Sequence, residues 1–358
     1  MKYSDLISQW LKEEGFTHFF YVGGGNIMHL TESLSNQLKG IPVIHEVAAV
    51  IASEYFNSVS VGGNKSLALV TAGPGLTNTI TGIAGAWLEN RFVLVIGGQV
   101  KTSDLKNNVN LRQRGIQEID GVTLVKSICK IAKLIDKPIN KNKFIDAIRV
   151  GCIGKKGPVF LEIPIDVQAF SFQDEIKEPA KHKLLESYGS KHLELIIKKY
   201  NVSKKPIILI GGGVSYETAE LINKTIIDCN IPFMTTYNGA DRIGSEYLNY
   251  FGRPNTWGQR SANIIIQKAD LIVVFGSRLG LQQTGFNWQE FGRNSDIIQI
   301  DIDKEELFKG HPNVNYKINA DCNPLLKEFV KKVYLIKNDK WINECLDIRK
   351  KIPRIENV

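Results

Sequence analysis

The carboxylate of Glu46 is the side chain of this sequence best placed to do chemistry. It stands between the apolar residues Val43 and Ile44 and the apolar start of a predicted helix, Val47-Ala48-Ala49. An ionised carboxylate is poorly solvated in such surroundings, so we expect a raised pKa and a proton that the group shares with a ligand. The alternative is an ordinary acidic residue at a helix N-terminus, stabilised by the helix dipole.

Glycine-rich turns follow two predicted strands on either side of this residue. Tyr21-Val22-Gly23-Gly24-Gly25 follows one apolar run, and Gly73-Pro74-Gly75 follows another, with Asn78 entering the next helix. Glycines at such places allow either a tight strand-to-helix turn or a close approach of the backbone to a ligand. The Gly-x-Gly-x-x-Gly pattern of dinucleotide sites is not met, because Met28 stands where the third glycine belongs. Both interpretations of the glycines therefore stay open.

Short apolar runs alternate with segments of helical spacing along the whole chain. The predicted strands include 16–22, 43–44, 67–70, 92–96 and 158–164, and then 206–210, 231–234, 271–275 and 297–302. This alternation predicts an α/β fold with two doubly wound parallel-sheet domains. We expect a first domain over residues 1–170, a linker over 171–204, a second domain over 205–335 and a charged helical tail over 336–358.

The composition excludes several classes of protein. The 358 residues are 43% hydrophobic and 23% charged, as in globular proteins, and the net charge of +8 comes from scattered lysines rather than a basic block. Nucleic-acid binding is therefore not indicated. The five cysteines form no Cys-x-x-Cys pair and no cluster with histidine, which argues against disulfides or zinc and for a reducing compartment. With no secretory signal pattern and no apolar run near the roughly 20 residues of a membrane span, we expect a cytoplasmic protein.

Two further segments complete a recognisable set, Val95-Ile96-Gly97-Gly98-Gln99-Val100 and Gly115-Ile116-Gln117-Glu118-Ile119-Asp120. In order and spacing, these segments, the two glycine turns and Glu46 resemble thiamine diphosphate enzymes of the acetolactate synthase and pyruvate oxidase group. The resemblance extends from about residue 3 to the end of the chain. It implies a carboligase that decarboxylates a 2-keto acid such as pyruvate and joins the two-carbon unit to a second carbonyl compound.

The resemblance assigns a role to each candidate residue of the first domain, which it identifies as the pyrimidine-binding domain. Glu46 would hydrogen-bond N1′ of the aminopyrimidine and so promote loss of the proton from the thiazolium C2, while Gln117 would face the substrate side of the thiazolium. The residues implied to contact the cofactor are Tyr21, Val22, Gly23, Gly24, Pro74 and Asn78. Ile116 stands where acetolactate synthases usually carry phenylalanine, so the acceptor stays open between pyruvate, another keto acid and a keto sugar.

A second candidate site follows the strands of the second domain. Gly211-Gly212-Gly213 follows a strand, but Tyr216 stands at the third glycine position of the dinucleotide pattern. The resemblance implies that the ADP part of FAD, or another nucleotide, contacts Gly212, Gly213, Thr236, Arg278, Asp301 and Asp321. A turn with an arginine suits a diphosphate, and a carboxylate after a strand suits a ribose. The alternatives are a domain with no ligand and an Asp301 that caps a helix.

No Gly-Asp-Gly occurs in these 358 residues. In the resembling family that motif lies in a third domain, where with a distant asparagine it binds Mg²⁺ and, through it, the cofactor diphosphate. We therefore expect a chain with no metal site of its own, completed in a homo-oligomer or by a partner subunit that carries the diphosphate-binding domain. The chain would then be a fragment, a split subunit or a truncated gene product. The alternatives to an enzyme are an FAD- or ADP-binding module and a non-catalytic assembly subunit.

Overall fold

The computed structural model of this chain describes residues 1–60, 62–106, 110–173, 189–333 and 339–353. The chain divides into two compact units, Met1–His182 and Lys183–Val358. Each unit is built on a parallel sheet flanked by helices, which confirms the predicted α/β class. None of the helices in the described residues has the length and apolar character that a membrane span requires.

The first unit contains a six-stranded parallel sheet in its described residues. Its strands are β1 (Phe16–Tyr21), β2 (Lys39–Pro42), β3 (Lys65–Val70), β4 (Leu94–Gln99), β5 (Ile131–Leu134) and β6 (Val159–Pro164). Its helices are α1 (Tyr3–Glu13), α2 (Met28–Ser35), α3 (Glu46–Val59), α4 (Pro74–Asn78), α5 (Ile80–Leu88), α6 (Gly121–Val125), α7 (Lys141–Cys152) and α8 (Ile165–Ala169). The strand order is β2-β1-β3-β4-β6-β5.

This strand order determines where a ligand is expected in the first unit. Strand β2 pairs with one edge of β1, and β3 pairs with the other edge. The direction in which strands are added to the sheet therefore reverses between β1 and β3. Ligands of open α/β sheets bind outside the carboxyl ends of the strands at such a reversal. The turns that begin at Val22 and Thr71 follow the ends of β1 and β3, and Glu46 follows β2. The fold therefore brings the two glycine turns and the carboxylate to one crevice.

Burial on both faces of the sheet holds these strand ends in place. The side chains of β3 from Leu67 to Val70 are fully buried. Leu67 and Leu69 pack into a core that contains Trp10 of α1, while Ala68 and Val70 pack into a second core that contains Val50 of α3. Helices on both sides are the reason that parallel strands read as continuous apolar runs.

The second unit contains a five-stranded parallel sheet in its described residues, with the order β11-β10-β9-β7-β8. The strands are β7 (Pro206–Ile210), β8 (Phe233–Thr235), β9 (Leu271–Phe275), β10 (Asp296–Asp301) and β11 (Tyr316–Asn319). The helices are α9 (Ser190–Val202), α10 (Tyr216–Asp228), α11 (Arg260–Lys268), α12 (Leu281–Thr284), α13 (Lys304–Phe308), α14 (Cys322–Val333) and α15 (Asp339–Lys351). The topology reverses between β7 and β9, where this unit would place its own ligand.

Helix α9 corrects the predicted linker over residues 171–204. Leu193, Ile196 and Tyr200 are buried in the core of the second unit, because their spacing puts them on one face of the helix. The second unit therefore includes residues that the sequence assigned to a connection. Residues 174–188 of the predicted linker lie outside the described residues.

The tail predicted over 336–358 is helical, but it is part of the second unit. Trp341, Ile342 and Cys345 of α15 are buried in a core cluster with residues of β7 and β9. The indole Nε1 of Trp341 donates to the carbonyl of Pro206 at 3.0 Å. The second unit therefore continues past the predicted boundary at residue 335.

Candidate active site

Glu46 is the first residue of α3 and lies at the carboxyl edge of the first sheet. Its side chain is buried, with 8% of the residue exposed. The helix is capped by the neighbouring His45, whose Nδ1 accepts a hydrogen bond from the Val47 N–H at 3.2 Å. The Glu46 carboxylate is thus not the N-cap of its own helix, and it faces the loop that follows β3 instead.

The contacts of this carboxylate leave one oxygen free. Asn78 Nδ2 donates to Glu46 Oε2 at 2.9 Å. A Cβ atom placed on Gly75 would lie 3.2 Å from Oε1, so this oxygen faces a backbone without a side chain. Within the described residues, no hydrogen bond to Oε1 is present. One oxygen is held in position, and the other is able to share a proton with a bound group.

Ile44 does not shield Glu46, contrary to the sequence-based expectation. Its side chain is fully exposed, while Val43 and Val47 are only half-buried. Strand β2 ends at Pro42, so residues 43–45 form a connection over the surface rather than the end of a buried strand. The carboxylate instead contacts the short helix α4, which contains Gly75 and Asn78.

The two glycine turns face each other across a narrow gap beside Glu46. A Cβ on Gly24 would lie 2.4 Å from the Cβ of Thr71, and a Cβ on Gly75 would lie 2.9 Å from the Thr71 Cγ2. A Cβ on Gly23 would meet nothing within 4 Å. Thr71 Oγ1 is buried without a hydrogen-bond partner among the described residues. The two turns thus pack tightly around Thr71, and open space remains next to Gly23.

The remaining predicted cofactor residues lie around the same crevice. Tyr21 and Val22 are half-buried at the end of β1, where the Tyr21 ring packs on Phe19 with 5.0 Å between centroids. Pro74 is exposed at the first turn of α4, and its fixed backbone suits that position. All of them border the topological reversal of the first sheet.

Gln117 reaches the site through its backbone contact with Gly73. A Cβ on Gly73 would lie 2.5 Å from the Gln117 carbonyl oxygen, and Gly73 has a φ of 69°, so only glycine suits this turn. Gln117 itself has a φ of 62°, a left-handed conformation that a non-glycine residue adopts at a cost. Its side chain is exposed, and so is that of its neighbour Ile116.

Two buried carboxyl groups near Gln117 were not predicted to have a function. The first is Glu118, whose Oε1 accepts from the Lys106 N–H at 2.5 Å. Its Oε2 accepts from the N–H groups of Arg114 at 2.9 Å and Gly115 at 3.0 Å. Burial raises the pKa of this carboxyl, but the three backbone donors outweigh burial and bring its pKa below the ordinary value.

The second is Glu162 in β6, which is 2% exposed. Gln99 Nε2 donates both to Glu162 Oε1 at 2.9 Å and to the Ile119 carbonyl at 3.0 Å. Burial and the nearby charge of Asp120 raise the pKa of Glu162 from 4.5 to about 8, although the bond from Gln99 acts the other way. A charged residue inside an otherwise apolar strand was the signal in the sequence for this group.

The predicted nucleotide turn of the second unit is occupied by internal contacts. The N–H groups of four residues of the turn are already bonded: Gly211 to Phe275 O, Gly213 to Gly276 O, Val214 to Gly211 O and Ser215 to Asn323 Oδ1. A diphosphate at a glycine turn needs these N–H groups as donors. A Cβ on Gly211 would lie 2.2 Å from the Gly276 oxygen, so the glycines serve the packing of two loops. The N–H of Gly213 is therefore already engaged and does not fit a diphosphate cradle.

Arg242 covers the same turn. Its guanidinium donates to the carbonyls of Val214 at 2.6 Å and Gly212 at 3.3 Å, pairs with Asp241 and lies 3.9 Å from the ring centroid of Tyr216. Asn323 Nδ2 donates to the Gly213 carbonyl at 3.2 Å. The side chains of this unit thus close the place where its topology would hold a ligand.

The other predicted nucleotide residues lie at the carboxyl ends of the second sheet without forming a diphosphate site. Thr236 is buried, Arg278 and Asp321 are exposed, and Asp301 is half-buried. Asp301 Oδ1 accepts from the Asp303 N–H at 2.9 Å, and Asp321 Oδ1 accepts from Asn323 Nδ2 at 2.8 Å. Both carboxylates therefore bond to their own loops. In the described residues, no three His, Cys, Asp or Glu side chains are grouped so as to hold a metal ion.

Comparison with known protein families gives matches to both units. Residues 1–124 match the thiamine pyrophosphate enzyme N-terminal TPP binding domain, and residues 193–329 match the thiamine pyrophosphate enzyme central domain.

Curated relatives include the probable acetolactate synthase large subunit of Methanococcus aeolicus, which is 30% identical over 96% of this chain. The acetolactate synthase isozyme 1 large subunit of Escherichia coli K12 is 26% identical over 98% of the chain, and the acetolactate synthase large subunit of Lactococcus lactis is 29% identical over 98%. The chain spans 57%, 61% and 60% of the length of these three relatives, respectively.

Proposed function

The chain belongs to the thiamine pyrophosphate enzyme family, and on that premise we propose that its first unit binds and activates the aminopyrimidine of thiamine diphosphate for acetolactate synthase-like carboligation. The single observation that carries the proposal is the buried Glu46 carboxylate, with Oε2 held by Asn78 and Oε1 free beside Gly75. The donor substrate would be a 2-keto acid such as pyruvate.

The residues of the crevice fit an aminopyrimidine ring. A flat heterocycle requires backbone without side chains on its approach, and Gly23 faces open space there. It also requires a carboxyl group that shares a proton with the ring nitrogen N1′, and Glu46 Oε1 is placed to be that group. When bound, thiamine diphosphate supplies a nucleophilic carbon that attacks the keto carbonyl and an electron sink for the loss of carbon dioxide.

The protein residues would act by holding a proton and by fixing geometry. Glu46 would share a proton between its Oε1 and the pyrimidine N1′, which requires the carboxylate to stay out of bulk water. Asn78 fixes the carboxylate through Oε2, so that only Oε1 is available. Tyr21, Val22, Gly24 and Pro74 would line the ring, and the exposed amide of Gln117 would face the substrate.

We propose that the cofactor diphosphate and Mg²⁺ are held by protein outside these 358 residues, as the family resemblance implies. The active site would then form in a homo-oligomer or with a partner subunit, and this chain would supply the pyrimidine side of it. Ile116 is 83% exposed next to Gln117, a position that suits contact with the acceptor substrate. Five free cysteines are consistent with a reducing, cytoplasmic location.

FAD is not part of the proposed mechanism. Internal hydrogen bonds engage the N–H groups of Gly211, Gly213, Val214 and Ser215, which a dinucleotide diphosphate would need as donors. We propose instead that the carboxyl edge of the second sheet has a structural role.

The test is the Glu46→Gln variant in the complete active protein supplied with thiamine diphosphate and Mg²⁺. Glutamine keeps the shape of the side chain and the acceptor for Asn78, but it cannot take up and return a proton at Oε1. We expect loss of pyruvate turnover and of C2 proton exchange of the bound cofactor, measured by NMR after acid quench, with unchanged folding.

The matched control is Glu32→Gln, the same replacement at a side chain that is 63% exposed on α2. It is expected to leave both rates unchanged. Wild-type rates of C2 proton exchange in Glu46→Gln would remove the basis of the proposed function.

A further inference from the structure

The carboxylate of Glu118 holds backbone N–H groups from two segments that precede Gln117. Glu118 bonds through Oε1 to the backbone of Lys106 and through Oε2 to the backbones of Arg114 and Gly115. These three N–H groups come from two segments separated in sequence, and the carboxylate between them is 8% exposed. Hydrogen bonds from N–H groups to an ionised, buried acceptor are the strong ones. Glu118 therefore joins the backbone at Lys106 to the backbone at Arg114 and Gly115.

Gln117, which immediately precedes Glu118, has a backbone conformation that is unfavourable for a residue with a side chain. Its φ of 62° is left-handed, which costs free energy in a residue with a Cβ. In that conformation its backbone lies against Gly73, two residues before the Gly75 that faces Glu46. Glu118, whose carboxylate makes the three contacts above, is the next residue in the chain.

We propose that Glu118 is a positioning residue, whose carboxylate clamps the loop so that Gln117 lies on the Gly73 turn beside Glu46. The inference rests on the proposed function in one respect, which is that Gln117 acts on the substrate side of the cofactor. Glu118 itself is directed toward backbone N–H groups of its own loop. It acts on the reaction only through Gln117.

The first test measures the clamp directly and requires no cofactor. In Glu118→Gln the new NH₂ group faces at least one backbone N–H, so one or more of the three bonds is lost. We expect amide hydrogen exchange at Lys106, Arg114 and Gly115 to become about tenfold faster or more. Trypsin cleavage after Lys106, Arg112 and Arg114 should accelerate in parallel.

Two further variants keep this test decisive. Glu118→Asp retains the charge but is one methylene shorter, so it cannot reach both segments, and we expect faster exchange of at least one of the three amides. Asp104→Asn, an exposed carboxylate two residues before Lys106, should leave exchange unchanged. Unchanged exchange and cleavage in both Glu118 variants would overturn the inference.

The second test separates positioning from a general loss of stability. If Glu118 acts through Gln117, then Glu118→Gln should reduce turnover of pyruvate at saturating cofactor about tenfold. The double variant Glu118→Gln/Gln117→Ala should then be no slower than Gln117→Ala alone. A double variant whose loss of turnover equals the product of the two single losses would contradict the positioning role.

The outcomes also separate this inference from the proposed function. Normal activity in Gln117→Ala together with faster amide exchange in Glu118→Gln would show a clamp without the proposed role of Gln117. Reduced activity in Gln117→Ala with unchanged exchange in Glu118→Gln would leave the function intact and remove the clamp.

Discussion

Asn78 donates a 2.9 Å hydrogen bond to Oε2 of Glu46 and so links the helix after β3 to the helix after β2. The bond fixes which oxygen of the carboxylate stays free. Because Glu46 begins α3 and Asn78 ends α4, the position of the acid depends on two connections that meet only in the folded sheet.

Replacing Asn78 by alanine removes the donor that fixes the carboxylate. We expect cofactor activation to fall about tenfold, the factor that corresponds to one charge-assisted hydrogen bond. The thermal midpoint should change little, because Asn78 is exposed. Steady-state turnover and differential scanning calorimetry measure the two effects. Asn36→Ala, at an exposed asparagine after α2, is the control, and an equal loss of activity there would contradict the assignment.

Adding a methyl group at Gly75 is expected to weaken thiamine diphosphate binding. The new Cβ would lie 2.9 Å from Thr71 Cγ2 and 3.2 Å from Glu46 Oε1, so α4 or these two side chains must shift. Gly85→Ala is the matched replacement, because a Cβ there meets nothing within 4 Å in the middle of α5. That change should stabilise the protein by about 0.5–1 kcal/mol. Calorimetric titration and urea unfolding distinguish the pair, and equal cofactor affinity in both variants would be the contrary result.

The stability of the first unit is expected to decrease as the pH rises through neutrality. The pKa of Glu162 is about 8 in the folded chain against an ordinary 4.5, so the folded state holds a proton that the unfolded state releases. The stabilisation is fully present below pH 4.5 and is lost as the pH rises to about 8. By proton linkage the total is on the order of 3–5 kcal/mol.

Glu162→Gln tests this pH dependence, since an amide stays neutral throughout. Urea unfolding at pH 5, 7 and 9 should show a difference between variant and wild type that grows in favour of the variant as the pH rises. A difference that stays constant across this range would show that Glu162 keeps an ordinary pKa.

The second unit is expected to bind neither ADP nor FAD at its glycine turn. Calorimetric titration of the chain with either compound should give no heat of binding at ligand concentrations up to ~1 mM, the weak end of measurable affinity. Binding that is weakened by Gly212→Ala, where a Cβ would lie 3.1 Å from the Asn238 Cβ, would show that the turn opens to a ligand after all.

The buried strands were predictable because they are covered on both faces. Residues 67–70 read as a continuous apolar run, and β3 extends over Lys65–Val70. Strand β5, at the sheet edge, was missed because its sequence Ile-Ala-Lys-Leu mixes a charge with short apolar residues. Helix α9 was read as a linker because polar residues, Glu194 and the pair Lys198 and Lys199, stand between its three core residues.

The sequence predicted only those parts of the candidate site that stand in local patterns. Glu46, Asn78 and the glycines stand in local patterns, and the fold brings them to one crevice. The sequence indicated Glu162 only by a charge inside an apolar strand. The donors to Glu118 lie 3 to 12 residues before it, in a segment without helical or strand periodicity, so no local pattern indicated that it is buried. Gly212 and Gly213 stay a prediction, because glycines needed for the packing of two loops have the same spacing as glycines needed for a phosphate.

Thr71 packs between Gly24 and Gly75, so a side chain at position 24 or 75 would occupy the space that Thr71 fills. An alanine at 75 collides first with the Thr71 methyl group, so Thr71→Ser would relieve that contact and leave only the approach to Glu46. An alanine at 24 collides with the Thr71 Cβ, which serine also carries, so the same exchange brings no relief there. A substitution at 75 is thus partly relieved by a smaller residue at 71, whereas a substitution at 24 conflicts with any residue at 71 that has a Cβ.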